Sequence, residues 1–234
     1  MIDIVKASEV TRPKGTILIY GAPGTGKTST VRYFSGKTLV IDVDKTSHVL
    51  RGIENIDICY VDTSNAWNSW QTILLELVKS YKGKYDQIVV DNISELERAM
   101  LADRGKSGKN EGVPSMADYQ KVQFRLLNSL RYLKQMETTI VLTAWEMTDS
   151  YEDINGQTFS RAYPQLSKTI MNNVMGLCDV VGRIMINKDG ERGFTFTSTS
   201  STFAKDQLYN RKGCKQDELL IERIPEDTNR EREE

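Results

Sequence analysis

The chain has 234 residues, 39% of them hydrophobic, with 31 Lys and Arg against 32 Asp and Glu and a net charge of −1. That length suits one α/β domain with or without a short tail, and the balanced charge excludes a global basic field for nucleic acid, leaving only local patches or loops. Three separated cysteines (Cys59, Cys178, Cys214) without a CxxC pattern, and a single histidine, His48, argue against a disulfide framework, a zinc site and most Ser-His-Asp arrangements.

In chain order, residues 16–20 (TILIY) are a short apolar run ending at a glycine, which reads as a buried strand. A glycine-rich loop covers 21–26, and a helix is expected over 27–35. Residues 38–43 (TLVIDV) read as a second strand, with a short helix over 46–51, and 56–61 (IDICYV) as a third. Helical spacing over 66–81 puts Trp67, Trp70, Leu74, Leu77 and Val78 on one side. Residues 87–91 (QIVVD) read as a fourth strand, followed by a helix with Ser94 and Glu97 placed as a capping box. The stretch 103–116 has no apolar period and reads as a mobile loop. A long amphipathic helix over 118–136 leads to a fifth strand at 139–143. Asn155-Gly156 marks a turn or small hairpin, 166–178 reads as a helix, and 180–187 with 193–198 form a hairpin around Lys188-Asp189-Gly190-Glu191. The expected organisation is one domain over 1–214 and a charged, partly disordered tail over 215–234, ending in NREREE.

Strands alternating with helices predict an α/β fold with a mainly parallel sheet, helices on both faces and a C-terminal antiparallel hairpin. Ligands of such sheets bind at the carboxyl ends of the strands. No apolar run reaches the ~20 residues of a membrane span, and no signal-peptide core opens the chain, so a cytoplasmic protein is expected.

Gly21-Ala22-Pro23-Gly24-Thr25-Gly26-Lys27-Thr28 fits GxxxxGK[ST] at every fixed position, after a strand and before a helix. Backbone N–H groups and a helix N-terminus answer the charge of a triphosphate, and the glycines permit close approach. The nucleotide-binding stretch runs through Ser29, with Lys27 reaching the β- and γ-phosphates and Thr28 ligating Mg²⁺. The ligands implied are ATP and Mg²⁺. Asp91, at the end of an apolar strand, is the second candidate for the metal. Asn92 follows it, where many AAA+ ATPases carry a water-activating glutamate. A base must therefore come from elsewhere, and Asp42, Asp44 and Glu146 are the candidates, with Thr143 a candidate γ-phosphate sensor.

These features resemble the RecA-like ATPases. The TLVIDVD segment is similar to the strand that ends in their catalytic glutamate, and the matching position is Asp44, one methylene shorter. More closely, the chain resembles phage nucleotide-binding proteins with a single RecA-like core, some of them Sak-type single-strand annealing proteins. The resemblance runs from about residue 15 to about 208 and rests on the strand before Asp44, the 103–136 loop and helix, Thr143-Ala144-Trp145-Glu146 and Ala204-Lys205-Asp206. Trp145 stands where a histidine is expected, and Gln207 where a second basic residue is expected, with Arg211 as a substitute. The β-rich end replaces the α-helical lid of AAA+ modules.

The resemblance implies an ATPase that binds single-stranded DNA in phage recombination or replication, inside the bacterial host. It would act as a homo-oligomer with ATP at subunit boundaries and Lys205 reaching the neighbouring γ-phosphate. Loops 103–116 and 149–163 would face the strand through Arg104, Lys106, Lys109, Tyr151, Phe159, Arg161 and Tyr163. The competing expectation is an ATP-dependent switch or assembly module that binds protein instead of DNA. A small-molecule kinase ranks third, because no acceptor pocket or lid arginines are evident.

Overall fold

The computed structural model describes residues 4–10, 14–108 and 111–221. Strands β1 (Thr16–Gly21), β2 (Thr38–Asp42), β3 (Ile56–Tyr60), β4 (Gln87–Asp91), β5 (Thr139–Glu152) and β7 (Val180–Ile186) form the parallel part of the sheet, in the order β7-β1-β5-β4-β2-β3. Beyond β7 the sheet turns antiparallel through β8 (Arg192–Thr195) and β10 (Gly213–Lys215). β6 (Thr158–Pro164) pairs antiparallel with β5, and β9 (Lys205–Asp206) with β7.

Alternation along the strands divides the core. Leu18, Ile41, Val90 and Leu142 face one side, and Ile17, Val40, Val89 and Val141 the other. The helices α1 (Ala66–Ser80), α2 (Ile93–Lys106), α3 (Met116–Lys134) and α4 (Lys168–Leu177) all bury residues in the first cluster. The second face is covered by Val31, Phe34, Leu50 and Leu219, on or beside 3-10 turns, and by Phe194 and Phe196. Both faces thus carry helical segments, but very unequal ones.

The reason lies in local chemistry. On the first face, Trp70, Leu74 and Leu77 recur at helical spacing, and the buried Trp70 indole donates to Ser129 Oγ at 2.9 Å, tying α1 to α3. On the second, the segment after the P-loop is Thr28–Tyr33, a 3-10 turn instead of the expected α-helix over 27–35. β-branched Thr28, Thr30 and Val31 are weak helix formers, and the Ser29 and Thr30 hydroxyls both donate to the Gly26 carbonyl, at 3.1 and 2.9 Å.

Other expectations are corrected by the structure. The capping box is not at Ser94 and Glu97. Asn92 caps α2 by accepting from Glu95 N at 2.7 Å, Ser94 Oγ accepts from Trp145 N, and Glu97 accepts from Ser167 N. A capping box is present at Ser115 and Asp118, opening α3. The loop expected over 103–116 is shorter, because α2 continues to Lys106. The fifth strand is longer than expected, because its distal half pairs with β6 in a hairpin.

The described chain continues past the boundary expected at 214. β10 joins the sheet, Leu219 is buried, and Arg211 anchors the connection. Its guanidinium pairs with Asp206 at 2.7 Å and donates to the Leu219 carbonyl at 3.0 Å, with side chains 6% and 0% exposed. The NREREE tail lies outside the described residues. Removing one member of a buried ion pair leaves an uncompensated charge and costs about 3–5 kcal/mol. Arg211→Ala should therefore lower the urea midpoint by a corresponding amount, and a midpoint like that of the unsubstituted protein would show that the pair does not hold the C-terminal strands.

Candidate functional site

Parallel register brings the motif residues to one edge. Asp42 is opposite Asp91, and Gly21 opposite Trp145, so the P-loop and Asp91 meet at the carboxyl ends of β1 and β4, beside Thr143 within β5. Asp91 is 2% exposed. Its Oδ2 accepts from Thr28 Oγ1 at 2.7 Å and its Oδ1 from Thr143 Oγ1. Thr46 Oγ1 is 3.3 Å from Thr28 Oγ1 and 3.4 Å from Asp91 Oδ2. Thr143, expected as a γ-phosphate sensor, is thus bound to the carboxylate.

Lys27 is 8% exposed and donates from Nζ to the Gly21 and Ala22 carbonyls at 2.9 and 3.0 Å. Gly24 and Gly26 have φ of +78° and +98°, which favours glycine at both turns of the cradle. A cavity of about 320 Å³ is lined by Lys27, Thr28, Asp44, Thr46, Asp91 and Arg192, among others.

The charges in this cavity are out of balance. Burial pushes the Asp91 carboxyl up, against the hydrogen bonds from Thr143 and Thr28. Burial likewise raises Asp44, against the bond from Thr46, and lowers Lys27, against Asp91, Asp44 and Glu146. Hard oxygen donors around a desolvated carboxylate fit Mg²⁺. Among the described residues no group of three or more His, Cys, Asp or Glu forms a cage, and none is needed, because Mg²⁺ typically binds through one or two carboxylates plus substrate phosphates.

The three candidate bases separate clearly. Asp42 is fully buried and accepts from the Thr46 and Ser47 backbone N–H groups at 3.3 and 3.0 Å, which makes it a turn anchor. Asp44 lines the cavity, with Asn92 Nδ2 donating to Oδ2 at 2.6 Å and Thr46 to Oδ1 at 2.9 Å. Glu146 faces an arginine. Both of its oxygens are taken by Arg183, at 2.8 and 2.9 Å, in a fork that spans the end of β1.

The C-terminal basic candidates also move. Lys205 pairs with Val181, which is opposite Leu18, and its neighbours include Cys178, Asp179 and Lys134 at the amino end of β7. It does not join the phosphate cavity of its own chain. Arg211 is buried against Asp206 and is not a substitute finger.

Of the strand-facing candidates, Arg104 pairs with Asp118 at 3.5 Å and lies over Trp67. Arg161 is 9% exposed, lies over Tyr151 at 4.2 Å and donates to Ser198 Oγ. Tyr163 stacks on Phe203. Lys106 is exposed, Tyr151 and Phe159 are half-buried opposite one another, and Lys109 lies outside the described residues.

Sequence reasoning missed Arg192, Gln216 and Thr46. Gln216 Nε2 donates to the Gly26 carbonyl at 2.9 Å across 190 residues of chain. The turn at Lys188–Glu191 fixes where β8 starts, but only the strand order β8-β7-β1 shows that its first residue meets the P-loop.

With the motif, sheet and cavity in place, the fold is that of a P-loop nucleoside triphosphatase. A family model described as an AAA domain matches residues 14–208, and the chain belongs to that family. The AAA domain implies nucleotide binding and ATPase activity. No curated protein matches the chain. No helix among the described residues is long and apolar enough to cross a membrane.

A carboxyl group raised by burial holds its proton to higher pH in the folded chain than in the unfolded one. Between the two values stability falls as pH rises, so the ionised form is a liability at neutral pH. Asp91→Asn should therefore leave the metal-free protein at least as heat-stable as the parent at pH 7, while Mg²⁺-dependent nucleotide affinity is lost. Calorimetry with and without Mg²⁺ reads both, and retained Mg²⁺ dependence would remove Asp91 from the metal site.

Proposed function

We propose that the chain is an Mg²⁺-dependent ATPase with a RecA-like core that acts on single-stranded DNA in phage recombination or replication, as an oligomer with ATP at subunit boundaries. The observation that carries the ATPase part is the contact of Thr28 with Asp91 at 2.7 Å inside the cavity that Lys27 and Asp44 also line. The RecA-like part is supported by the antiparallel strands beyond β7, where an AAA+ module would carry a helical lid. The DNA part is supported by the β5–β6 hairpin, whose paired residues 146–164 run past the register of β1 and β4.

The loop from Gly21 to Ser29 holds the phosphates with its N–H groups, and Lys27 meets the β- and γ-phosphates. Thr28 and Asp91 would hold Mg²⁺, which when bound neutralises charge on the phosphates. Asp44 orients the attacking water, its own carboxylate fixed by Asn92 and Thr46. A glutamate after Asp91 is then unnecessary, because Asn92 acts through Asp44.

A second reading, an assembly module that binds protein, is favoured by one observation. A groove of about 750 Å³ between α1 and α3 exposes Leu75 and Phe124, at 59% and 67%, away from every motif residue.

ATP turnover measured with and without single-stranded DNA tests the reading. Stimulation by DNA is expected, Lys27→Ala should be inactive, and Asp44→Asn should bind Mg-ATP normally but turn over at least about tenfold more slowly, since a water-orienting group acts in the transition state. Turnover indifferent to DNA favours the protein-binding module, and normal turnover in Lys27→Ala removes the ATPase assignment.

Lys205 is proposed to act in trans. Lys27→Ala and Lys205→Ala proteins should each be nearly inactive alone and regain activity when mixed, because a mixed boundary pairs an intact P-loop with an intact Lys205. Full activity of Lys205→Ala alone would eliminate that role.

A further inference from the structure

A nucleoside triphosphate carries negative charge along its whole phosphate chain, and the P-loop sequence itself supplies one lysine to meet it. Most arginines close to the site are engaged elsewhere. Arg183 is locked to Glu146, and Arg98 lies over the Trp145 ring. Arg192 differs. Among the described residues it forms no ion pair, it is exposed, and it lines the phosphate cavity. A Cβ added at Gly26 would lie 2.9 Å from Arg192 Cδ and 3.0 Å from its Nε, so the arginine stem rests directly on the P-loop glycine before Lys27.

We propose that Arg192 is a phosphate-binding residue acting in cis, gripping the α- and β-phosphates where the bound nucleotide leaves the P-loop for a nucleoside groove beside β7 and β8. This rests on the nucleotide reading of the P-loop. The direction follows from strand order. Asp91 and Asp44 follow from β4 and β2, on one side of β1, and mark the metal and water end of the phosphate chain. Arg192 stands on β8, across β7 on the other side of β1, and so meets the opposite end.

A groove of about 580 Å³ opens there, lined by Arg192 together with Tyr33, Met185, Ile186, Phe194 and Cys214. Tyr33, Met185 and Ile186 are 48%, 44% and 46% exposed, which gives an aromatic ring and apolar side chains at the rim for a purine face. The groove and the phosphate cavity share Arg192.

The backbone that carries the arginine is fixed by strand pairing. Arg192 pairs in register with Ile186 directly after a turn in which Asn187 Oδ1 accepts from the Asp189 and Glu191 N–H groups at 3.0 and 2.8 Å. β10 flanks the other edge of β8, Lys215 opposite Gly193.

A γ-directed finger would discriminate ATP from ADP, whereas an α/β grip would not. Titration calorimetry of Mg-ATP and Mg-ADP on the full chain separates them, using Arg192→Ala and Arg192→Gln. The glutamine keeps part of the stem over Gly26 and removes the charge. Loss of a charge-assisted contact should weaken ATP and ADP by the same factor, roughly ten- to a hundredfold. Unchanged affinity for both nucleotides in Arg192→Gln overturns the proposal, and so does weakening of ATP alone, which would make Arg192 a γ-phosphate residue. If the unsubstituted protein binds neither nucleotide, the P-loop reading itself falls and takes Arg192 with it. If it binds both and only the Arg192 variants are unaffected, the P-loop reading stands without Arg192.

Discussion

A carboxylate at 2% exposure, held by the hydroxyls of Thr28, Thr46 and Thr143, is the constraint around which this molecule is arranged. Burying an ionised carboxyl is expensive unless something answers its charge. Asp91 has the end of β4 behind it, Thr28 of the P-loop on one oxygen and Thr143 of β5 on the other, so its position depends on three elements far apart in sequence. Lys27 feels the Asp91 charge, yet its ammonium donates to the Gly21 and Ala22 carbonyls. Burial pushes the Asp91 carboxyl up against the hydrogen bonds from Thr143 and Thr28, so its ionised form is favoured by added positive charge. A ligand that supplied that charge would stabilise the fold by mass action.

The Gly26 carbonyl is a second junction. It accepts from the Thr30 N–H, the Ser29 and Thr30 hydroxyls and the Gln216 amide, all within 3.1 Å. With four donors on one oxygen, the peptide is turned so that its carbonyl faces the protein. The C-terminal strands are therefore part of the phosphate site. Arg211 fixes the connection, β10 docks on β8, and Gln216 reaches the loop. No local pattern predicts this, because Gln216 and Gly26 are brought together only by the completed sheet.

The same distinction explains how much was legible in the sequence. The P-loop, Asp91 and the strand ends were readable because each is a local pattern with a fixed meaning: apolar run, glycine turn, then a charged or hydroxyl residue. Asp44 could be singled out but not separated from Asp42 or Glu146, since the three differ only in their partners. Asp42 faces two backbone N–H groups, Glu146 an arginine 37 residues away, and Asp44 the cavity. The helix after the P-loop was misjudged because strand–loop–helix context outweighed the weak propensity of Thr-Ser-Thr-Val. Ser94 and Glu97 matched a capping box by spacing, but tertiary partners at Trp145 and Ser167 claimed both side chains.

Arginine usage narrows what the outer surface can do. Arg104, Arg161, Arg183 and Arg211 stabilise the interior, each stacked on a ring or paired with an acid or hydroxyl. Had they been free, the β5–β6 hairpin and the end of α2 would form a basic face whose affinity for a polyanion came mainly from counterion release. What remains near the hairpin is different in kind. Tyr151 and Phe159 are half-buried opposite one another across the two strands, Tyr151 with Arg161 over its ring. Stacking on such rings contributes about 1–3 kcal/mol per base and depends little on sequence. A strand held this way would bind through its bases more than its phosphates, and several hairpins aligned along an oligomer would be needed to hold it firmly. Assembly would then be a condition for strand binding, and the same boundaries that align the hairpins would be the ones that bring Lys205 toward a neighbouring P-loop.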